Sequence, residues 1–553
     1  MAILMKAVPS SEKCFWDEDF EKKPLFTKGS VLGGEEFFYE IAYTSTSPEH
    51  SPKATLHLAI DSPIAELVSV ETVEQVPVRV PCYQGAKDDN YLRTTPGLYP
   101  DLLMPVAPGE QIFVPYGELK SLFVTVRVPA GYPAGEYPVA VKFVWGDEVF
   151  AESVVTIRVI GADLPKQEIK VTEWFHTDCI ASYYELETFS EKHWEYIENF
   201  MRTAVENGIN TILMPVFTPP LDTAVGGERP TTQLVDVYRT ESGWEFGFDK
   251  VERWVRMCDK VGVEFFEVSH LYTQWGAGHA PKIVGYVNGE RKKLFGWETD
   301  SLSDEYRTFL RAFLTAFLAK MKSLNGADKR CLFHISDEPG FDHLEQYTKV
   351  KAQIADILEG YPIMDALSDF EFYKTGVLSN PIPCNNHIDK FIEANVPNLW
   401  TYYCCGQCVD VSNRFIAMPM ERTRVIGTQF WKYNIAGFLQ WGYNFWYSQY
   451  SISKINPYLV TDGNYFYPAG DGFAVYPGEN GKPLTTLHMK AFTQALYDLR
   501  AMKLAEALCG REAVLAAMEE GLDYGVTFSR YPTESDYCEK LREKINAMIA
   551  DAK

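Results

Sequence analysis

In the first part of the chain, apolar and polar positions alternate with period two. ATLHLAID (54–61), LFVTVRV (122–128) and SVVTIRVI (153–160) all follow this pattern, which marks strands with one buried face. YPAGEYP, between two such runs, supplies turn residues. Short strands separated by Pro/Gly turns predict an all-β sandwich over residues 1–165. GADLPKQ (161–167) reads as the linker that closes it.

From Ile169 the period changes. Short apolar runs at 169–176, 210–216, 264–271, 331–336, 362–368, 380–385, 398–403 and 436–441 are separated by stretches of helical spacing. The clearest helix is 303–325, where Tyr306, Phe309, Leu310, Phe313, Leu314, Phe317, Leu318 and Met321 share one face. Ser301, Ser303 and Asp304 supply its start, and Asn325-Gly326 its stop. Eight strand–helix repeats predict a (β/α)8, TIM-type barrel over 166–510. Residues 217–248 are too long for a plain loop and predict an insertion near the strand ends. Residues 511–553 read as a C-terminal helical extension.

Composition narrows the partners. At 46 % hydrophobic and 23 % charged residues, the chain falls in the soluble globular class. A formal net charge of −23 excludes nucleic acid and disfavours anionic membranes. A neutral or cationic substrate fits that sign better. Eleven scattered cysteines do not form a disulfide framework. MAILMKAVPSSEKC has an apolar stretch too short for a secretory signal, and no run reaches transmembrane length. The chain as given therefore reads as cytoplasmic, although a secreted chain trimmed of its leader would look the same.

Chemistry concentrates at the predicted strand ends. HISDEPG (334–340) places Asp337 and Glu338 side by side just past the fourth run, and Pro339 prevents the ladder from continuing. An acidic helix cap would explain the pair without any function. In a barrel, however, the carboxyl ends of the strands carry the active site. Adjacent acids diverge from one backbone, so they suit poorly a pair that flanks a glycosidic bond from opposite sides. They suit a substrate-assisted reaction better: one holds a 2-acetamido group as its oxygen attacks C1, and the other protonates the leaving oxygen.

Other strand ends offer His176 and Asp178, His270 and Trp275, Trp400 and Tyr402, and Trp441, Asn444 and Trp446, with His334 beside the acid pair. Each alone is an ordinary core residue; together they supply rings and hydrogen-bonding groups for a sugar. Cys404-Cys405-Gly406-Gln407-Cys408 lacks the second ligand pair that zinc requires, so neither a metal nor a cofactor is expected.

The ordered segments VSHLYTQWGAGHAPKI, LFGWET, FHISDEPG, LWTYYCC, NRFIAMPMERTRVIGTQFWKYNIAGFLQWGYNFW and GDGFAVYPG resemble glycoside hydrolase family 123 and its domain of unknown function 4091 relatives. The resemblance spans roughly 165–510. It implies a β-sandwich, a TIM barrel and a retaining exo-β-N-acetylgalactosaminidase acting on an oligosaccharide or glycolipid glycan. It assigns Asp337 to the acetamido group and Glu338 to general acid/base work. Trp400, Tyr402, Trp441, Asn444 and Trp446 match aromatic strand-end segments of the family. Two departures bear on the sugar accepted: His488 stands in TTLHMKAF (485–492), near where relatives often carry arginine, and the 217–248 insertion looks particular to this chain. The same residues leave two alternatives open: a glycosidase of different sugar preference, or a carbohydrate-binding relative without catalysis.

Overall fold

The computed structural model describes residues 3–46 and 56–553. Ala54 and Thr55, which open one predicted strand, lie outside the described residues, as do the first two residues of the chain.

The amino-terminal region contains two five-stranded sheets. One is antiparallel, in the order Ile3–Pro9, Glu35–Ser45, Lys120–Val128, Val68–Val78, Gly97–Val106. The other runs Lys28–Gly33, Glu148–Asp163, Gly135–Trp145, Leu56–Asp61, Gln111–Ile112, with one parallel pair at its edge. Period-two alternation puts Tyr39, Ile41 and Tyr43 of the first sheet, and Val139, Val141 and Phe143 of the second, into one shared apolar core. The strand 148–163 continues through Gly161-Ala162-Asp163, and Asp163 pairs with Gly33. The first three residues of the predicted linker therefore belong to this strand.

The second region has a six-stranded sheet in which each neighbouring pair is parallel. Its order is Cys331–Phe333, Phe265–Val268, Thr211–Met214, Lys170–Glu173, Gly437–Gln440, Trp400–Tyr402. Met364–Ala366 and Asn380–Ile382 form a separate parallel pair. Single parallel bridges join this pair to the sheet on both sides, Phe333 to Ile363 and Cys384 to Tyr402. Each of the eight predicted runs contains one of these strands, trimmed to three or four residues. TILM and GFLQ are buried along their whole length, as expected where both faces of a parallel sheet are covered.

Helix Asp304–Ser323 follows its sequence signals. Ser303 Oγ accepts the Tyr306 N–H, and the chain leaves the helix through Asn325 and Gly326 at φ of 53° and 72°. Seven of the eight residues on the predicted face are buried; Leu318 is only partly so.

The 217–248 segment divides in two. Asp236–Thr240 and Gly243–Gly247 form a hairpin that joins Ile283–Val287 and Glu290–Phe295 in a four-stranded sheet. The part before it runs past the strand ends. The carboxyl-terminal helices Arg511–Met518 and Tyr537–Asp551 do not hang free: Val514, Leu541, Ile545 and Ile549 enter the main core. Arg542 binds both Glu35 and Asp498, and Glu543 accepts from the Ser30 N–H at 2.7 Å. His488 belongs to this seam too, with Nδ1 2.8 Å from Asp101 Oδ1. His488 thus packs helix Leu487–Cys509 on the first region. Among the described residues no helix is long and apolar enough to cross a membrane.

Candidate active site

At the carboxyl ends of the parallel strands lies a cleft of about 240 Å³. The fourth parallel strand ends at Phe333, and its continuation is tied on both sides. Trp275 N–H donates to Asp337 O at 2.8 Å, from the loop after the third strand. Glu338 N–H donates to Ala366 O at 2.9 Å, at the end of the fifth. Glu338 sits at φ 43°, a left-handed conformation that a non-glycine residue holds only when its surroundings impose it. This turn breaks the alternation of side chains, and both acids line the same cleft.

The two acids have different partners. Tyr402 OH donates to Glu338 Oε1 at 2.7 Å. Burial, and then the charge of Glu338, keep the Tyr402 phenol well above its ordinary pKa, so it stays a donor. No side chain or backbone group among the described residues hydrogen-bonds the Asp337 carboxyl. Its pKa is raised well above the usual carboxylate range, first by burial and then by the neighbouring Glu338 charge, with His334 pulling the other way. It is therefore the deeper acid, Asp337, that is pushed toward its protonated form.

Beneath the pair, His334 is fully buried, with Nε2 2.7 Å from Glu267 Oε1 and Nδ1 3.1 Å from Asp365 Oδ1. Burial alone would lower its pKa, but the two carboxylates raise it to about 10, so it is an imidazolium at neutral pH. Glu267 also accepts from Trp174 Nε1 at 2.9 Å and from Thr172. Asp365 accepts from Tyr347 OH and from the Ile335 and Ser336 N–H groups. His270 stacks on His334 at 4.5 Å, and its own nitrogens lack hydrogen-bond partners among the described residues. The donor atoms of His270, His334 and Asp365 lie within 4.8 Å of one another. Both His334 nitrogens and both Asp365 oxygens are already committed to other groups, however, so the set does not fit a resident metal.

The remaining predicted residues separate sharply. Trp275, Tyr402 and Trp441 line the cleft with the acid pair. Trp275 is 41 % exposed, which suits stacking on a sugar face, and Trp441 Nε1 donates to Asp471 at 3.0 Å. His176, His334, Trp400, Asn444 and Trp446 are buried and do not line it. His176 is held between Trp441 O at 2.9 Å and Arg229 at 3.0 Å, and Arg229 pairs with the equally buried Asp178. Asn444 accepts from His176 N–H and donates to His176 O, which fixes two strand ends to each other. Trp400 packs across the neighbouring strand at Gly437, where a Cβ would meet its ring at 2.0 Å. Trp446 is 2 % exposed, its ring edge-on to Phe200 and its N–H on Val475 O. These five hold the frame of the site and do not reach its surface.

Sequence reasoning missed Trp174, Asp222, Gln274, Gln449, Tyr450, Phe466 and Tyr467 as cleft residues. A run of rings, Trp275–Tyr450–Phe466–Tyr467–Trp441, has successive centroids 5.8, 6.1, 6.2 and 5.4 Å apart and builds one wall. The cluster GNYFYP (463–468) was a usable signal for part of it. Nothing local marks Asp222, in the first part of the insertion. Cys404 and Cys405 also line the cleft.

A sequence profile described as the glycoside hydrolase 123 catalytic domain matches residues 174–505. A solved structure, described in work on glycolipid glycan hydrolysis by a family 123 glycoside hydrolase from Clostridium perfringens, superposes with a TM-score of 0.74. It is 15 % identical, and the match covers 100 % of this chain and 98 % of that one. Two further matches are too weak to carry an argument. The N-terminal domain of PorA has a TM-score of 0.15 and 10 % identity, over 29 % of this chain and 99 % of that one. Chitinase ChiW from Paenibacillus sp. str. FPU-7 has a TM-score of 0.18 and 9 % identity, over 70 % and 28 %. A search of curated proteins gave no match.

Proposed function

Because the chain belongs to glycoside hydrolase family 123 and is a glycoside hydrolase, we propose that it is a retaining exo-β-N-acetylgalactosaminidase that uses the substrate's own acetamido oxygen as nucleophile. Its substrate in this reading is a glycan ending in a β-linked N-acetylhexosamine, carried on an oligosaccharide or, as for the Clostridium perfringens relative, a glycolipid. The second region is read as a (β/α)8 barrel with the site at its carboxyl face. The consecutive neighbour order of its parallel strands and the two bridges that join the separate pair to the sheet support this.

The observation that carries the mechanism is the unequal pair: two adjacent carboxyls in one cleft, Glu338 held by Tyr402 and Asp337 with no hydrogen bond to its carboxyl among the described residues. The acetamido N–H supplies the donor that Asp337 lacks, and a donor to the charged form lowers a carboxyl pKa. Binding therefore favours the ionised form of Asp337. Ionised Asp337 stabilises the positive charge that grows on the acetamido nitrogen as its oxygen attacks C1. Glu338 gives its proton to the leaving oxygen and takes one back from the water that opens the oxazoline. The imidazolium of His334, fixed below, limits the accumulation of negative charge under the site.

The test is a side-by-side assay of aryl β-N-acetylgalactosaminide, β-N-acetylglucosaminide and plain β-galactoside. The expected order is the first well above the second, and no turnover of the third. Equal turnover of the plain galactoside would remove the acetamido nucleophile. Sugar binding without turnover of any would leave a binding relative.

A further inference from the structure

The insertion brings a third carboxylate into the cleft. Asp222 lines the same cavity as Asp337 and Glu338, and its charge is among the influences that raise the Asp337 pKa. It is clamped from several sides. Asp222 Oδ2 accepts Tyr450 N–H at 3.1 Å, Asp222 N–H donates to Gln274 Oε1 at 2.6 Å, and Ser451 Oγ donates to Asp222 O at 2.7 Å. Ala224 N–H donates to Tyr450 O at 3.2 Å, so two loops far apart in sequence are zipped together here. Asp222, Tyr450 and Ser451 all hold left-handed backbone, at φ of 42°, 56° and 55°. Strain repeated at three clamped residues shows a side chain whose position is imposed by its surroundings.

One oxygen of this carboxylate is used by Tyr450; the other has no hydrogen-bond partner among the described residues. Burial raises the Asp222 pKa to about 6, so the group is largely ionised at neutral pH and acts only as an acceptor. Trp275 and Tyr450, beside it, offer ring faces. A fixed, ionised acceptor next to aromatic faces, in a cleft whose acid pair takes the anomeric end, matches the hydroxyl edge of a pyranose.

We propose that Asp222 binds a hydroxyl group of the terminal sugar through its free oxygen, and that the insertion thereby helps set which sugar the cleft accepts. This rests on the hexosaminidase reading above. A site built around a hydroxyl strongly rejects an analogue that lacks it, because its own polar group is left unpaired.

Asp222→Ala and Asp222→Asn are compared with wild type on the aryl β-N-acetylgalactosaminide and on its 3-, 4- and 6-deoxy analogues. The Asn variant keeps an acceptor for Tyr450 N–H and guards against simple loss of the clamp; thermal unfolding is followed for both. Asp222→Ala is expected to lower kcat/KM by about 10–100-fold, the usual scale for a hydrogen bond to a charged group. One deoxy analogue should lose a similar factor in wild type and nothing further in Asp222→Ala. A folded Asp222→Ala enzyme that still discriminates all three analogues as wild type does would overturn the proposal. If wild type cleaves only another glycoside, the hexosaminidase reading falls, and the deoxy series of that sugar decides Asp222. If it cleaves none, calorimetric affinities of N-acetylgalactosamine and galactose for wild type and Asp222→Ala decide it. Equal affinities, or no binding of either sugar, overturn the proposal.

Discussion

Two groups of acids lie one above the other at the fourth parallel strand, and they are built on opposite principles. In the lower group, Glu267 and Asp365 bracket His334, and every carboxylate oxygen accepts at least one hydrogen bond. In the upper group, among the described residues, the Glu338 carboxylate has one partner and the Asp337 carboxyl has none. A buried charge without partners is costly, so a saturated group is a structural one. A cleft acid kept short of partners retains a proton or an acceptor site to offer a ligand. The same residue types thus make the floor where they are satisfied and the reactive surface where they are not.

Five substitutions test that contrast. The largest effect is expected above the floor. Glu338→Gln should lower kcat about 10²–10⁴-fold on an oligosaccharide, the usual scale for general acid–base catalysis. Aryl substrates with good leaving groups should lose less in the first step, and near-wild-type turnover of the oligosaccharide would take Glu338 out of its role.

The floor should respond in stability. His334→Ala leaves two buried carboxylates facing each other, and breaking such a pair costs about 3–5 kcal/mol, readable as a lower urea midpoint. The sign of its pH dependence follows from a folded pKa of about 10, above the roughly 6.5 of a free histidine. The stabilisation that wild type gains from His334 is complete below about pH 6.5 and is lost as pH rises through about 10. The midpoint difference between wild type and variant should therefore shrink from pH 7 to pH 10. A difference that grows would reverse the assignment of His334 as the cation of the floor.

Tyr402→Phe removes the hydrogen bond from Tyr402 OH to the Glu338 carboxylate. It is expected to cost about 10–100-fold in kcat/KM, the range for a hydrogen bond to a charged group, with little change in thermal stability. Full activity in this variant would mean that Glu338 needs no outside donor. The smallest effect on catalysis is expected at Trp446. Trp446→Phe should reduce stability by about 0.5–3 kcal/mol, as core changes do, and leave kcat and KM unchanged. Trp275→Ala, on the cleft wall, should raise KM instead. If Trp446→Phe raised KM as Trp275→Ala does, the separation of frame from surface would fail.

Much of the frame is legible in the chain. The period-two runs, the buried strands of the parallel set, the Ser303 cap and the Asn325-Gly326 stop are local signals, and the elements form where those signals lie. The acid pair is legible for the same reason: it follows an apolar run and precedes a proline. The aromatic strand-end residues are not. Alternation tells which residues share a face, but past the strand's end the chain leaves the pleat. Trp441 reaches the cleft while Trp400 turns onto Gly437, and Trp446 turns into the core.

The sequence by itself determined the order of strands and helices, the breaks between them and the adjacency of Asp337 and Glu338, because these depend on neighbours in the chain. Tertiary structure decided what surrounds that pair. Only packing puts His334 between two carboxylates drawn from other strands. Only the meeting of residues 222 and 450, 228 positions apart, holds a third acid in the cleft. Those contacts join segments with no local tie, and their geometry is set by which faces of the elements can be buried together.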